Sequence, residues 1–217
     1  MKKLLVSVVL VGVVFLAHAS QLALIVLNTA SLGTGRLPSD WQIKVNHGKP
    51  DFSVCSGQDA SCVRLKSVSS SFALERGVDV DPTQMPYLSW RWKVTQLPKG
   101  GDFRRSSTDD QAAQLLVLFA DRRVITYLWD SSAPKDTAQP ASSVPLVHIF
   151  AIVCRSGAND ANRWVDELRN LKSDYERAYG RTPPHIKGLR IQINSQHTGT
   201  VAESYFGDVA FRSSPNP

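Results

Sequence analysis

Apolar runs with alternating side chains, broken repeatedly by Gly, Pro, Asp and Ser, constrain this chain more than any other feature. They lie at 22–27, 43–45, 52–55, 62–68, 87–94, 113–119, 124–129, 146–153, 189–194 and 208–211. About ten strands at this spacing describe an antiparallel sandwich rather than βαβ units. Two long stretches, 97–109 and 131–143, are rich in Gly, Ser, Pro and charge. Long loops on a β scaffold are common places for binding. No internal repeat or linker divides residues 20–217, which read as one domain.

One segment departs from the strand rhythm. Between 160 and 179, Trp164, Leu168, Leu171 and Tyr175 fall at helical spacing, which predicts a single amphipathic helix packed on the sandwich. Asn159 or Asp160 is the expected N-cap, Gly180 followed by Pro183-Pro184 the stop, and Trp164 the core anchor. Arg163, Asp166, Lys172 and Arg177 would form its solvent face.

The first residues read as a targeting segment. Lys2 and Lys3 precede an apolar stretch from Leu4 to Leu16, and Ala17-His18-Ala19 follows. That pattern describes a signal peptide removed before Ser20, a periplasmic or secreted protein, and no membrane span once it is cleaved. Loss of the two lysines lowers the net charge from +6 to +4. The remaining basic residues form no stripe, which argues against nucleic acid as a partner. In an oxidising compartment, Cys55 and Cys62 bracket a turn-rich loop and are expected to pair across a hairpin. Cys154 then remains a buried thiol.

Chemistry-bearing patterns are sparse. The chain carries no nucleophile elbow, P-loop, zinc-protease helix or dinucleotide fingerprint, and its histidines lack ligand spacing. No cofactor is implied; a structural cation among the acidic loop residues is the one open position. Within the run at 87–94, Leu88, Trp90, Trp92 and Val94 share one face, best read as core, while Ser89, Arg91 and Lys93 share the other. Extending the alternation places Arg91, Tyr127, Trp129, His148, Arg190 and Gln192 as candidates for one ligand-binding face. Flat rings and planar hydrogen-bonding groups suit a polyol such as a glycan. The competing reading is a face covered by the helix and loops, with His148 satisfied in the core. Were the protein a hydrolase or lyase, Asp109 or Asp110 would act with Glu203 or Asp208, since glycoside hydrolysis needs two carboxyls flanking one bond.

Several strings together carry a family likeness: LSWRWKVTQLPKGGDFR (88–104), DDQAAQLLVLF (109–119), YLW (127–129), ELRNLKSDYERAYGRTPPHIKG (167–188) and YFGDVAF (205–211). Their order and spacing resemble the bacterial domain-of-unknown-function family 3047, whose members are typically exported. YFGDVAF is also similar to the closing strand of galactose-binding-like jelly rolls. The resemblance implies a mainly β, jelly-roll-like sandwich and no assigned activity. Relatives tend to carry an Asp-x-Asp stretch where this chain has Asn194-Ser-Gln196, a departure that counts against catalysis there. The expectation is therefore an exported, non-catalytic domain binding a glycan or another polar ligand. A carbohydrate-active enzyme and a structural envelope protein are the alternatives.

Overall fold

A computed structural model describes residues 22–32, 37–55, 61–141 and 147–215. The expected signal peptide lies outside the described residues. Within them the alternating runs become strands β1 (Ala23–Leu27), β2 (Gln42–His47), β3 (Asp51–Cys55), β4 (Cys62–Val68), β5 (Ser71–Val80), β6 (Tyr87–Gln96), β7 (Ala113–Phe119), β8 (Arg123–Asp130), β9 (Ala138–Pro140), β10 (His148–Ser156), β11 (Val165–Asn170), β12 (Ile186–Asn194) and β13 (Val201–Arg212). Among the described residues there is one α-helix, α1 (Leu171–Tyr179), between β11 and β12.

The strands form two sheets. One runs β11-β6-β13-β4-β3, with β1 also paired to β13; the other runs β2-β5-β12-β7-β8-β10-β9. All ladders are antiparallel except β8 with β10, which run parallel and are separated in sequence by the 131–147 connection and β9. No helix among the described residues is long and apolar enough to cross a membrane.

Alternation explains the core. Leu88, Trp90, Trp92 and Val94 of β6 are buried, facing Leu115 and Val117 of β7, Ile125, Tyr127 and Trp129 of β8, and Ile191 and Ile193 of β12. Trp90 lies 5.4 Å from Trp92 and 5.0 Å from Tyr127, and Trp92 lies 5.8 Å from Trp129, between ring centroids. Each large side chain removed from water contributes about 1.5–3 kcal/mol before ordering costs. Two polar tips inside this core are matched: Tyr127 Oη donates to Asp174 Oδ2 at 2.8 Å, and Trp129 Nε1 donates to the Gly157 carbonyl at 3.0 Å, whereas the buried Trp90 Nε1 has no partner among the described residues. Cys55 and Cys62 form the expected disulfide across the β3–β4 hairpin, and Cys154 is a buried thiol.

The helix expectation needs correction. Only its second half is helical; Val165–Asn170 is a strand on the outer edge of β6. Strand parity turns Glu167 and Arg169 inward: Glu167 accepts from Trp92 Nε1 and Arg155 Nε, and Arg169 grips Asp174. Leu168 points outward and is 44% exposed. Trp164 is not a core anchor either. It is half-buried on the outer face of the six-stranded sheet, its ring 4.9 Å from the Arg91 guanidinium carbon and 5.2 Å from Lys93 Nζ. The N-cap is Asn170, whose side chain accepts from Ser173 N, while Gly180 ends the helix at φ +66° as expected.

Candidate functional site

The outer face of the seven-stranded sheet holds a groove of about 580 Å³. Three cross-strand rows build that face. The first reads Gln42, Glu75, Arg190, Leu116, Thr126 and Ala151, from β2 to β10. The second reads Lys44, Ala73, Gln192, Gln114, Leu128 and Val153. A third reads Gly77, Gly188, Leu118, Val124 and Ile149. Side chains opposite one another on adjacent strands sit close enough to act together.

Two loops decide which part of the face stays open. Phe103, from the loop after β6, packs with Leu128, Ala133, Ala151 and Val153 into a small apolar cluster that seals the β8–β10 end of the second row. Asp130 ties both long loops down: its carboxylate accepts from the backbone N–H of Phe103, Ser132 and Ala133 at 3.0, 2.8 and 2.7 Å. Burial still holds the Asp130 carboxyl above its ordinary range, although these three donors oppose the shift. What remains open is the β2-β5-β12-β7 side, with Val124 and Ile149 as its far wall.

Among the described residues, three of the four cations lining the groove are ion-paired, Lys187 with a carboxylate just outside the lining, and Lys44 is not. Arg190 pairs with Glu75, Arg76 with Asp40 at 2.7 Å, and Lys187 with Asp79 at 2.8 Å. The Lys187 ammonium and then the His185 ring hold the Asp79 carboxyl below its usual range. Ion-paired groups keep spare donors and lone pairs, so this lining can still hydrogen-bond a ligand. Aliphatic Leu116, Leu118, Val124 and Ile149 supply the remaining wall, and among the described residues no aromatic side chain lines the groove.

One end of the face is closed by an amide network. Asn194 Oδ1 accepts from Gln111 N at 2.8 Å and Gln114 Nε2 at 2.7 Å, and Asn194 Nδ2 donates to the Asp109 carbonyl at 2.7 Å. An ionised aspartate could accept but not donate. The amide at 194 thus has a structural use.

The six residues expected to share a face do not meet. Tyr127 and Trp129 are fully buried between the sheets. Arg91 lies on the outer face of the other sheet, 3.5 Å from Asp166. His148 stands exposed at the start of β10, where its carbonyl accepts from Tyr179 Oη. Only Arg190 and Gln192 reach the groove-bearing face. For Tyr127 and Trp129 the cause is that β8 is buried on both sides, so its alternation does not show which face is core; Arg91 belongs to the other sheet.

The expected acids are also dispersed. Asp110 is fully buried and accepts from Thr198 N at 2.6 Å and His197 N at 3.3 Å, fastening one loop to another. Asp109 sits beside it, its carboxyl raised by burial and its Oδ1 accepting from Gln111 Nε2. Glu203 lies on the outer side of the six-stranded sheet. Burial would raise its carboxyl, but the Thr95 hydroxyl and the Arg64 guanidinium outweigh that and hold it low. Asp208 accepts from the backbone and hydroxyl of Thr29. Among the described residues no group of His, Cys, Asp and Glu is arranged to hold a metal ion.

Glu75, Gln42, Lys44 and the aliphatic wall are groove residues that alternation alone did not reveal. Glycines at 77 and 188, inside strands, were the available signal.

Two packed sheets with a groove across one outer face define a jelly-roll-like β-sandwich. Solved structures share this fold. A family 30 carbohydrate-binding module of a Clostridium thermocellum cellulosomal cellulase matches with TM-score 0.51 and 10% identity, over 90% of this chain and 99% of that one. The endoglucanase Cel12A from Rhodothermus marinus matches with TM-score 0.50 and 9% identity, over 88% and 99%. The xyloglucanase domain of NopAA from Sinorhizobium fredii, solved with cellobiose, matches with TM-score 0.50 and 8% identity, over 82% and 96%. The chain belongs to the DUF3047 family, described as a protein of unknown function, whose family model matches residues 39–210. No curated protein sequence matches it.

Proposed function

We propose that this is an exported, non-catalytic domain that binds a glycan or a comparably polar ligand in the groove of the seven-stranded sheet. One observation carries the reading. An open groove of about 580 Å³ sets ion pairs, able to satisfy hydroxyls, beside an aliphatic wall able to cover C–H surfaces. The fold shared with a carbohydrate-binding module and with glucanases supports it, and the Cys55–Cys62 disulfide fits an oxidising compartment.

A non-catalytic role is favoured over hydrolysis by how the acids are engaged. Asp110 is enclosed by backbone donors, while Glu203 and Asp208 are held by separate partners outside the groove. Glycoside hydrolysis requires two carboxyls across one bond.

Affinity electrophoresis through gels containing soluble polysaccharides tests the proposal, with reducing-end analysis of the same mixtures. The expected result is retardation of the wild type, loss of retardation in Arg190→Ala with an unchanged circular dichroism spectrum, and no new reducing ends. Retardation that survives Arg190→Ala would place the ligand elsewhere. New reducing ends that disappear in Asp110→Asn, with binding retained, would make the protein an enzyme.

A further inference from the structure

We infer that the groove is specific for an uncharged, hydroxyl-rich chain, and that the facing glycines Gly77 and Gly188 are the floor on which one of its rings lies. The inference rests on the groove being the ligand site proposed above.

The two glycines adjoin a β-bulge between Ile186 and Gly188, yet neither adopts a backbone conformation that only glycine allows. They sit opposite each other in the β5–β12 ladder, inside strands, where glycine is disfavoured by about 0.5–1 kcal/mol relative to alanine. Neither has a positive φ. A Cβ built on Gly77 meets nothing within 4 Å, and one on Gly188 comes no nearer than 3.6 Å to the Leu118 Cβ, an ordinary contact. Gly101 and Gly207 differ sharply. There a Cβ would fall 2.3 Å from the Asp110 carbonyl oxygen, where backbone packing requires glycine, and 2.5 Å from Arg91 Cγ, where the arginine side chain would have to move. At 77 and 188 the missing side chains instead leave bare backbone at the bottom of the groove, flanked by Leu118 and Val124 in the same row. A strand glycine marks a bulge or the close approach of a ligand or another backbone; the bulge here does not use a positive φ, and the space above both glycines leaves room for a ligand.

Charge sets the ligand class. Among the described lining residues, Arg76, Arg190 and Lys187 each already face a carboxylate, and only Lys44 stands outside an ion pair. An anionic chain would have to lie beside the carboxylates of Asp40 and Glu75 or displace them from Arg76 and Arg190. A neutral polyol accepts from the guanidinium edges and donates to the carboxylates while leaving the pairs intact. With no ring to stack on, its ring C–H face lies on the glycine backbone and the aliphatic wall.

Affinity gels containing hydroxyethylcellulose, galactomannan or polygalacturonate, run with wild type, Gly77→Leu, Gly77→Ala and Arg190→Ala, decide the matter. Wild type should be retarded by at least one neutral gel and not by polygalacturonate. Gly77→Leu should weaken that binding at least tenfold, with Gly77→Ala between, and with melting temperatures at or above that of the wild type. Equal or stronger retardation by polygalacturonate would overturn the ligand class. Gly77→Leu binding like wild type while Arg190→Ala does not would overturn the floor and leave the groove reading standing. Binding that survives both substitutions, or no retardation of wild type in any gel, would overturn the groove reading and this inference with it.

Discussion

On the outer face of the six-stranded sheet, Lys93 stands near two rings, 5.2 Å from the centroid of Trp164 and 4.6 Å from that of Tyr205, with Arg91 4.9 Å from Trp164. On the outer face of the seven-stranded sheet, cations meet carboxylates in a groove that no ring among the described residues lines. Both faces are polar by alternation, yet their polarity is used differently. The rings on the first face already hold cations of the same chain, an association worth about 0.5–1 kcal/mol at exposed sites. On the second, the ion pairs remain beside an open cavity. Surface aromatics are therefore a poor guide to the ligand face in this molecule, because its rings are engaged in the core or by neighbouring cations.

That contrast can be broken most forcefully at Trp129. If its ring belongs to the core, Trp129→Ala should cost about 3–5 kcal/mol in denaturant unfolding, and any loss of binding should follow loss of fold. A variant that melts like wild type but no longer binds would return the ring to the ligand. Next in size is the disulfide at the edge of the six-stranded sheet. Its reduction closes no groove residue off, and should lower stability by about 2–3 kcal/mol through the freed loop while the intact fold still binds, measured by unfolding and affinity gels under matched reducing conditions.

Trp164→Ala should cost about 1–2 kcal/mol by removing the ring over Arg91 and Lys93, with retention on polysaccharide unchanged. A loss of retention would move the ligand to the six-stranded sheet.

The smallest effects have opposite signs on the two sides. Glu203 is held below its usual range, so its contribution is present above the unfolded carboxyl value of about 4.3 and is lost as pH falls through the folded one. Glu203→Gln should therefore lower stability at pH 7 by less than about 1 kcal/mol and flatten the acid side of the stability profile. Asp109 is raised by burial, so folding is penalised once pH climbs past its unfolded value of about 3.9. Asp109→Asn should then gain up to about 1 kcal/mol at pH 7, the gain vanishing in acid. Thermal melts at pH 3 and pH 7 check both signs.

Sequence alone made much of the sandwich legible, and particular residues show where it stopped. β6 alternates tryptophan with charge, so its inward face was readable. β12 likewise placed Arg190 and Gln192 opposite Ile191. β5 went unrecognised because Glu75-Arg76-Gly77 interrupts its apolar rhythm, and without β5 the groove has no wall. Trp164, Leu168, Leu171 and Tyr175 fit a helical stripe, but β6 had a free edge and 165–170 satisfied its hydrogen bonds as a strand. Register between distant strands is set by packing of whole faces. Hence the pairing of Glu75 with Arg190, and of Gly77 with Gly188, could not be read from one strand at a time.

The pairing of β1 with β13 has a consequence for how the fold is completed. Ala23 lies opposite Arg212, and Leu22 N donates to Ser213 Oγ across 191 positions of chain. The earliest strand in order thus waits for the latest before it has any ladder partner, and β13 is also the strip between β6 and β4. Closure of the six-stranded sheet cannot precede the arrival of residues 201–212. A chain halted before residue 201 would be left with two separate sheet fragments and a stranded leading segment, a form that quality-control proteases could distinguish from the finished molecule.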